Sequence, residues 1–152
     1  MRRPYAIALL LLTAGCSPHP ERALLLPEPP RALPVTAAVA DAPLAAGENV
    51  RARELGRGEN GSVSLIQIRD RELPHVHTRY DLTVTLARGS GTLWLNGAPL
   101  PMHAGDVAFI PKGTPHYFVN AGSEPAAALV AFAPAFSGPD QQPVTAPTAP
   151  RR

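Results

Sequence analysis

Between residues 47 and 133 the chain is a series of short β-rich runs cut apart by glycine and proline. No stretch there holds a 3.6-residue apolar period through three helical turns. Ser62–Arg69 carries Val63, Leu65, Ile66 and Ile68. Leu82-Thr83-Val84-Thr85-Leu86 alternates apolar and hydroxyl side chains, the two-residue period of a half-buried strand. Gly89 and Gly91 permit a change of direction before Thr92–Leu95, and Asn96-Gly97 is a strong hairpin signal. Asp106–Ile110 lies between two turn sites, Gly105 and Pro111-Lys112-Gly113, and His116–Val119 and Ala126–Phe132 complete the series. Short strands at this spacing predict an all-β sandwich or barrel.

The flanks differ from this middle. Of 19 prolines, twelve fall within 17–46 or from 134 onward, whereas ten of the 12 glycines fall within 47–133. A chain of 152 residues has room for one domain. The expected organisation is therefore a folded unit over 47–133, a proline- and alanine-rich linker over 16–46, and a proline-rich tail over 134–152. Such a linker tends to polyproline II at ~3.1 Å per residue and is expected to act as a semi-rigid, disordered spacer. The tail is expected to be disordered or only partly docked, and neither flank is expected to carry chemistry. Residues 47–133 carry eight basic and eight acidic side chains. That balance lacks the basic excess needed to neutralise phosphates, so a nucleic-acid partner is disfavoured.

At the start, Arg2 and Arg3 precede an uncharged apolar stretch, Pro4 to Ala14, and then Gly15-Cys16. The stretch is shorter than the roughly 18 apolar residues a spanning helix needs, and it has the form of a secretory signal over 1–15. Leu12-Thr13-Ala14-Gly15-Cys16 resembles the lipobox of bacterial lipoproteins. The resemblance implies cleavage before Cys16, acylation of its thiol, and a membrane partner through that lipid anchor. Ser17 follows Cys16 where an aspartate would favour inner-membrane retention, so the implied location is the cell envelope, at the periplasmic side of the outer membrane. Cys16 is the one cysteine of the chain, which rules out an internal disulfide. Stability must come from packing or from a bound metal.

In the middle, Gly105, Pro111, Gly113, His116 and Asn120 stand in the spacing G-x5-P-x-G-x2-H-x3-N. This is similar to the second conserved motif of the cupins. His75-Val76-His77 and Gly89 resemble the first cupin motif, in which two histidines and a glutamate precede a glycine. The family implies a double-stranded β-helix, a jelly-roll barrel that brings the histidines of both motifs together inside. His75 and His77 are two apart, so on a strand their rings share a face. With His116 they are expected to hold a divalent transition metal (Fe, Zn, Ni, Cu or Mn), because neutral imidazole is a common ligand for such ions.

The departure from the family lies at the carboxylate, whose slot is occupied by Leu82. Asp81 stands one residue earlier and, with Leu82, Val84 and Leu86 inward, should face outward. Either three histidines and water hold the metal, which is the favoured reading, or a bulge brings Asp81 in as a fourth ligand. His103 is expected to be a solvent-facing loop residue, Tyr117 a packing residue on the face opposite His116, and Tyr80 and Arg79 surface residues; His19 is in the linker. The family hosts many chemistries, so the fold sets no reaction. The expected function is a membrane-anchored lipoprotein that binds a metal or a small ligand in its barrel. The alternatives are a metal-dependent enzyme of the three-histidine type, a dioxygenase or isomerase, and an envelope-assembly partner. A homodimer is left open.

Overall fold

The computed structural model describes residues 23–27 and 29–145, so the signal segment, Cys16, His19 and residues 146–152 lie outside the described residues. Its elements in chain order begin with β1 (Ala23–Pro27), β2 (Pro30–Pro34) and α1 (Val35–Ala40). β3 (Val50–Arg57), β4 (Ser62–Ile68), β5 (His75–His77), β6 (Asp81–Arg88) and β7 (Ser90–Leu95) follow. β8 (Ala98–His103), β9 (Val107–Ile110), β10 (His116–Asn120), β11 (Ala126–Ala133) and β12 (Gln141–Pro143) complete the fold. The strands between β3 and β11 match the β-rich runs of the sequence, with β3 and β8 added.

Two five-stranded antiparallel sheets face one another, in the orders β3-β4-β11-β6-β9 and β12-β5-β10-β7-β8. This is the jelly-roll barrel of the cupins, as the motifs imply. Between the sheets sits a core that includes Ile68, Leu82, Leu86, Leu93, Met102, Ile110, Phe118, Val130 and Phe132. Asn96-Gly97 closes the β7–β8 hairpin, with Leu95 opposite Ala98 and positive φ at both turn residues, 50° and 79°. Such a turn matches the twist of the two strands and favours Asn-Gly for that reason. Gly91 has a different cause. A Cβ there would stand 2.3 Å from Phe118 Cζ and from the Val119 carbonyl, so only glycine lets β7 and β10 close.

Parts of both flanks are ordered against the barrel. β1 and β2 pair through five residues, with prolines at the ends of the ladder where a missing N–H costs least. α1 then lies on the outer face of the β3–β9 sheet. Ala38 packs with Leu65 of β4 and Ala127 of β11, bordered by Leu33, Val39, Leu55 and Leu129. The Gln67 amide donates to the Ala42 carbonyl at 2.6 Å and Arg51 to the Pro43 carbonyl at 2.6 Å, fastening the chain after the helix. The physical reason is that β4 is apolar on both faces. Ile66 and Ile68 point to the interior, and Leu65 would otherwise point to water. In the C-terminal flank, β12 extends the other sheet by pairing with β5.

Candidate metal centre

Strand alternation and register assemble the centre. His75 and His77 project from one face of β5, and His116 is the cross-strand partner of His75 on β10. All three rings are buried, at 5–6 % exposure. The His75 ring centroid lies 4.4 Å from that of His116 and 5.2 Å from that of His77. One nitrogen from each ring falls within 4.8 Å of the others, and among the described residues this is the group able to hold a metal ion.

Each Nδ1 is already committed. His75 Nδ1 donates to the Leu73 carbonyl at 2.7 Å, His116 Nδ1 to the Thr114 carbonyl at 2.9 Å, and His77 Nδ1 to Asp140 Oδ1 at 2.6 Å. A neutral ring with a proton on Nδ1 keeps its lone pair on Nε2. Three Nε2 lone pairs are therefore left free to face one another, a donor set that could hold a metal ion, with its outer hydrogen bonds in place. Burial favours the neutral rings further. It pushes His116 down to about 4, with His75 and His77 nearby adding to the effect against the Thr114 carbonyl. Burial also lowers His77, although Asp140 pulls it upward.

Asp140 belongs to the flank that was expected to carry no chemistry. Its side chain is 2 % exposed, and its second oxygen accepts the Arg79 N–H at 2.9 Å. Burial raises its carboxyl, but the His77 and Arg79 hydrogen bonds prevail and hold it below the usual carboxylate range. The segment before it is latched by Tyr80, whose hydroxyl accepts the Ser137 N–H at 2.8 Å and donates to the Gly138 carbonyl at 3.2 Å. Tyr80 is thus a core residue, 1 % exposed, and not the surface residue expected. Arg79 is exposed as expected, yet it donates to the Gly138 and Pro139 carbonyls at 2.8 and 3.2 Å. Asp140 is 63 residues from His77 in a proline-rich segment, and no local pattern marks it.

Asp81 stays away from the centre. Its Oδ1 accepts the Lys112 N–H at 2.8 Å, which ties it to the turn before β10. Leu82, in the family's carboxylate slot, is buried in the cavity wall. His103 is exposed, and Tyr117 stacks on Trp94 with ring planes 2° apart. Glu72 was not foreseen as a site residue. It lines the cavity and accepts the Phe118 N–H at 3.0 Å, and burial raises its carboxyl against the pull of His75.

The histidines open onto a cavity of about 250 Å³ inside the barrel. Its wall is mostly aliphatic and aromatic, including Ile66, Leu86, Leu93, Ile110 and Phe132, with Glu72, Ser64 and Gln141 as polar exceptions.

Residues 63–132 match the family profile of the cupin domain. An uncharacterized protein of Aquifex aeolicus (strain VF5) is 39% identical over 93 residues, which are 61% of this chain and 76% of that one. The chain is similar in structure to the polyketide cyclase RemF of Streptomyces resistomycificus, with a TM-score of 0.55 and 22% identity over 64% of this chain and 72% of that one. It is also similar to a sugar phosphate isomerase from Silicibacter pomeroyi, with a TM-score of 0.51 and 29% identity over 59% and 62% of the two chains.

Proposed function

The chain belongs to the cupin superfamily, and we propose that it binds one divalent transition metal through the Nε2 atoms of His75, His77 and His116, beneath a cavity for a small, largely apolar ligand. The observation that carries this reading is the convergence of three lone-pair nitrogens whose partner Nδ1 atoms all donate elsewhere. Three neutral donors suit Zn, Ni, Cu or Fe(II) better than the oxygen-seeking Mg or Ca. A bound divalent ion would supply a Lewis-acid centre. The protein's own part is to orient the imidazoles, keep them neutral and exclude water with apolar walls. A ligand of this cavity is expected to turn a polar group to the histidines and its apolar body to Ile66, Leu86 and Phe132.

The reading is tested by elemental analysis of chain purified with Zn or Fe(II). About one ion per wild-type chain and little in His116→Ala is expected. Equal occupancy in the two would refute it.

Glu72 supports a second reading, a metal-dependent enzyme of the dioxygenase or isomerase class. A carboxyl at the cavity wall whose hold on its proton is strengthened by burial is a group able to give or take a proton. A sugar phosphate isomerase with a similar barrel supports the isomerase side of this reading. Turnover lost in Glu72→Gln with metal content unchanged is the expected result under this reading.

We also propose that the barrel is held at the cell envelope by acylation of Cys16, on the strength of Leu12-Thr13-Ala14-Gly15-Cys16. Cys16→Ser should abolish labelling by a fatty-acid probe and leave an unprocessed precursor. Continued labelling of that variant would remove the anchor.

A further inference from the structure

We propose that Gln141 is a fourth ligand of this centre, presenting its amide Oε1 to the metal from the C-terminal strand. The inference rests on the three-histidine metal reading and adds to it a donor outside both sequence motifs.

The backbone register makes the first part of the case. β5 is flanked by β10 on one side and by β12 on the other. His116 stands opposite His75, and Gln141 stands opposite His77. Directly opposed residues of antiparallel strands send their side chains to the same face. His75, His77, His116 and Gln141 therefore form two cross-strand pairs that share one face of the sheet, and that face lines the cavity.

The side chain makes the second part. Gln141 Nε2 lies 3.2 Å from His75 Nε2, the nitrogen that carries the lone pair because Nδ1 donates to the Leu73 carbonyl. In the metal-free chain the amide N–H donates to that lone pair. Once a cation takes the lone pair, the amide hydrogens would face a positive charge. A half-turn about the terminal torsion, which is soft in glutamine, exchanges the NH₂ for Oε1 and leaves the backbone in place.

The separation fits as well. Two donors about 2.0–2.2 Å from one ion stand about 3 Å apart at a right angle and about 3.4 Å apart at the tetrahedral angle. The observed 3.2 Å falls between these. Among the described residues, Leu82 fills the carboxylate slot with an apolar side chain, Asp81 is bonded to Lys112 N–H, and the Glu72 carboxyl accepts the Phe118 N–H and stands outside the cluster of converging nitrogens. The slot left by Leu82 on β6 would thus be made good from β12, by an oxygen that adds no charge.

Full-length wild type, Gln141→Ala, Gln141→Glu and His116→Ala are to be titrated with Zn(II) for affinity and with Co(II) for the visible spectrum. Circular dichroism checks the fold of each variant. Gln141→Ala should bind Zn(II) at least about tenfold more weakly and shift the Co(II) bands, and Gln141→Glu should bind at least as tightly as wild type. Wild-type affinity together with an unshifted Co(II) spectrum in Gln141→Ala would overturn the fourth ligand while the three-histidine centre stands. So would a Gln141→Glu variant that binds more weakly than Gln141→Ala. If wild type and His116→Ala bind Zn(II) equally poorly, the metal reading itself fails, and this inference with it.

Discussion

The two proline-rich flanks look alike in composition and do opposite work. The N-terminal one, from β1 through α1, lays Leu33, Ala38 and Val39 on the outer face of one sheet. It brings apolar area and no functional group. The C-terminal one, from Pro134 to β12, runs past the mouth of the barrel and brings Asp140 and Gln141 to His77 and His75. Proline content did not separate them, because proline limits where a segment can pair and not what it pairs with. The border of the fold separated them. One flank met an apolar outer face, and the other met a sheet edge beside three histidines.

If this division of labour holds, the two flanks can be broken independently. The largest effect is expected from Leu65→Ala, which removes the side chain on which α1 rests. Loss of a buried leucine costs about 2–5 kcal/mol, so Tm should fall by roughly 5–15 °C with metal affinity unchanged. A matching loss of metal affinity would show that the flanks are coupled.

Acid should act from the site side. His116 has a folded pKa of about 4 against 6.5 for the free side chain. As pH falls, the unfolded chain takes up this proton first. The contribution is therefore complete above pH ~6.5 and is lost between ~6.5 and ~4, by an amount of the order of 3 kcal/mol. The lowered His77 acts in the same direction. Urea unfolding of metal-free chain at pH 7.5 and 4.5 checks this, and equal midpoints would contradict it.

Asp140→Asn tests the C-terminal flank directly. The amide has one uncharged acceptor where the carboxylate offers two, to His77 Nδ1–H and the Arg79 N–H, and such second partners are worth about 10–100-fold in metal affinity. Zn(II) titration should show that loss with Tm changed by no more than a few degrees. The smallest effect is expected from Tyr80→Phe, which removes a hydroxyl bonded to Ser137 and Gly138. About 1 kcal/mol of stability should go, seen as a small shift in the denaturation midpoint, together with faster proteolysis after residue 133.

The proteolytic boundary sharpens the same contrast. A core of 47–133 follows from composition, whereas the packing of α1 and β12 predicts a protected fragment extending from about 23 to 145. Mass spectrometry of a limited digest distinguishes the two.

Much of the barrel was legible in the sequence because its information is local. Two-residue alternation marks β6, Asn96-Gly97 marks the β7–β8 turn through its demand for positive φ, and His75-Val76-His77 places two rings on one face whatever surrounds them. The cupin motifs and the absence of a carboxylate at Leu82 were likewise plain from spacing. What depended on the tertiary structure was whatever required two distant segments to meet. Tyr80 reads as a loop residue until the chain near Ser137 returns to bond its hydroxyl. Leu65 is one apolar residue among four in a β-rich run, and its burial on the outer face follows only from α1 covering it. Asp140 and Gln141 become site residues only when β12 adds to the edge of β5, since a carboxylate and an amide in a proline-rich tail have no local period or motif. Local backbone rules wrote the strands and the histidine pair into the sequence, while the partners that orient those histidines were chosen by which surfaces the closed barrel left open.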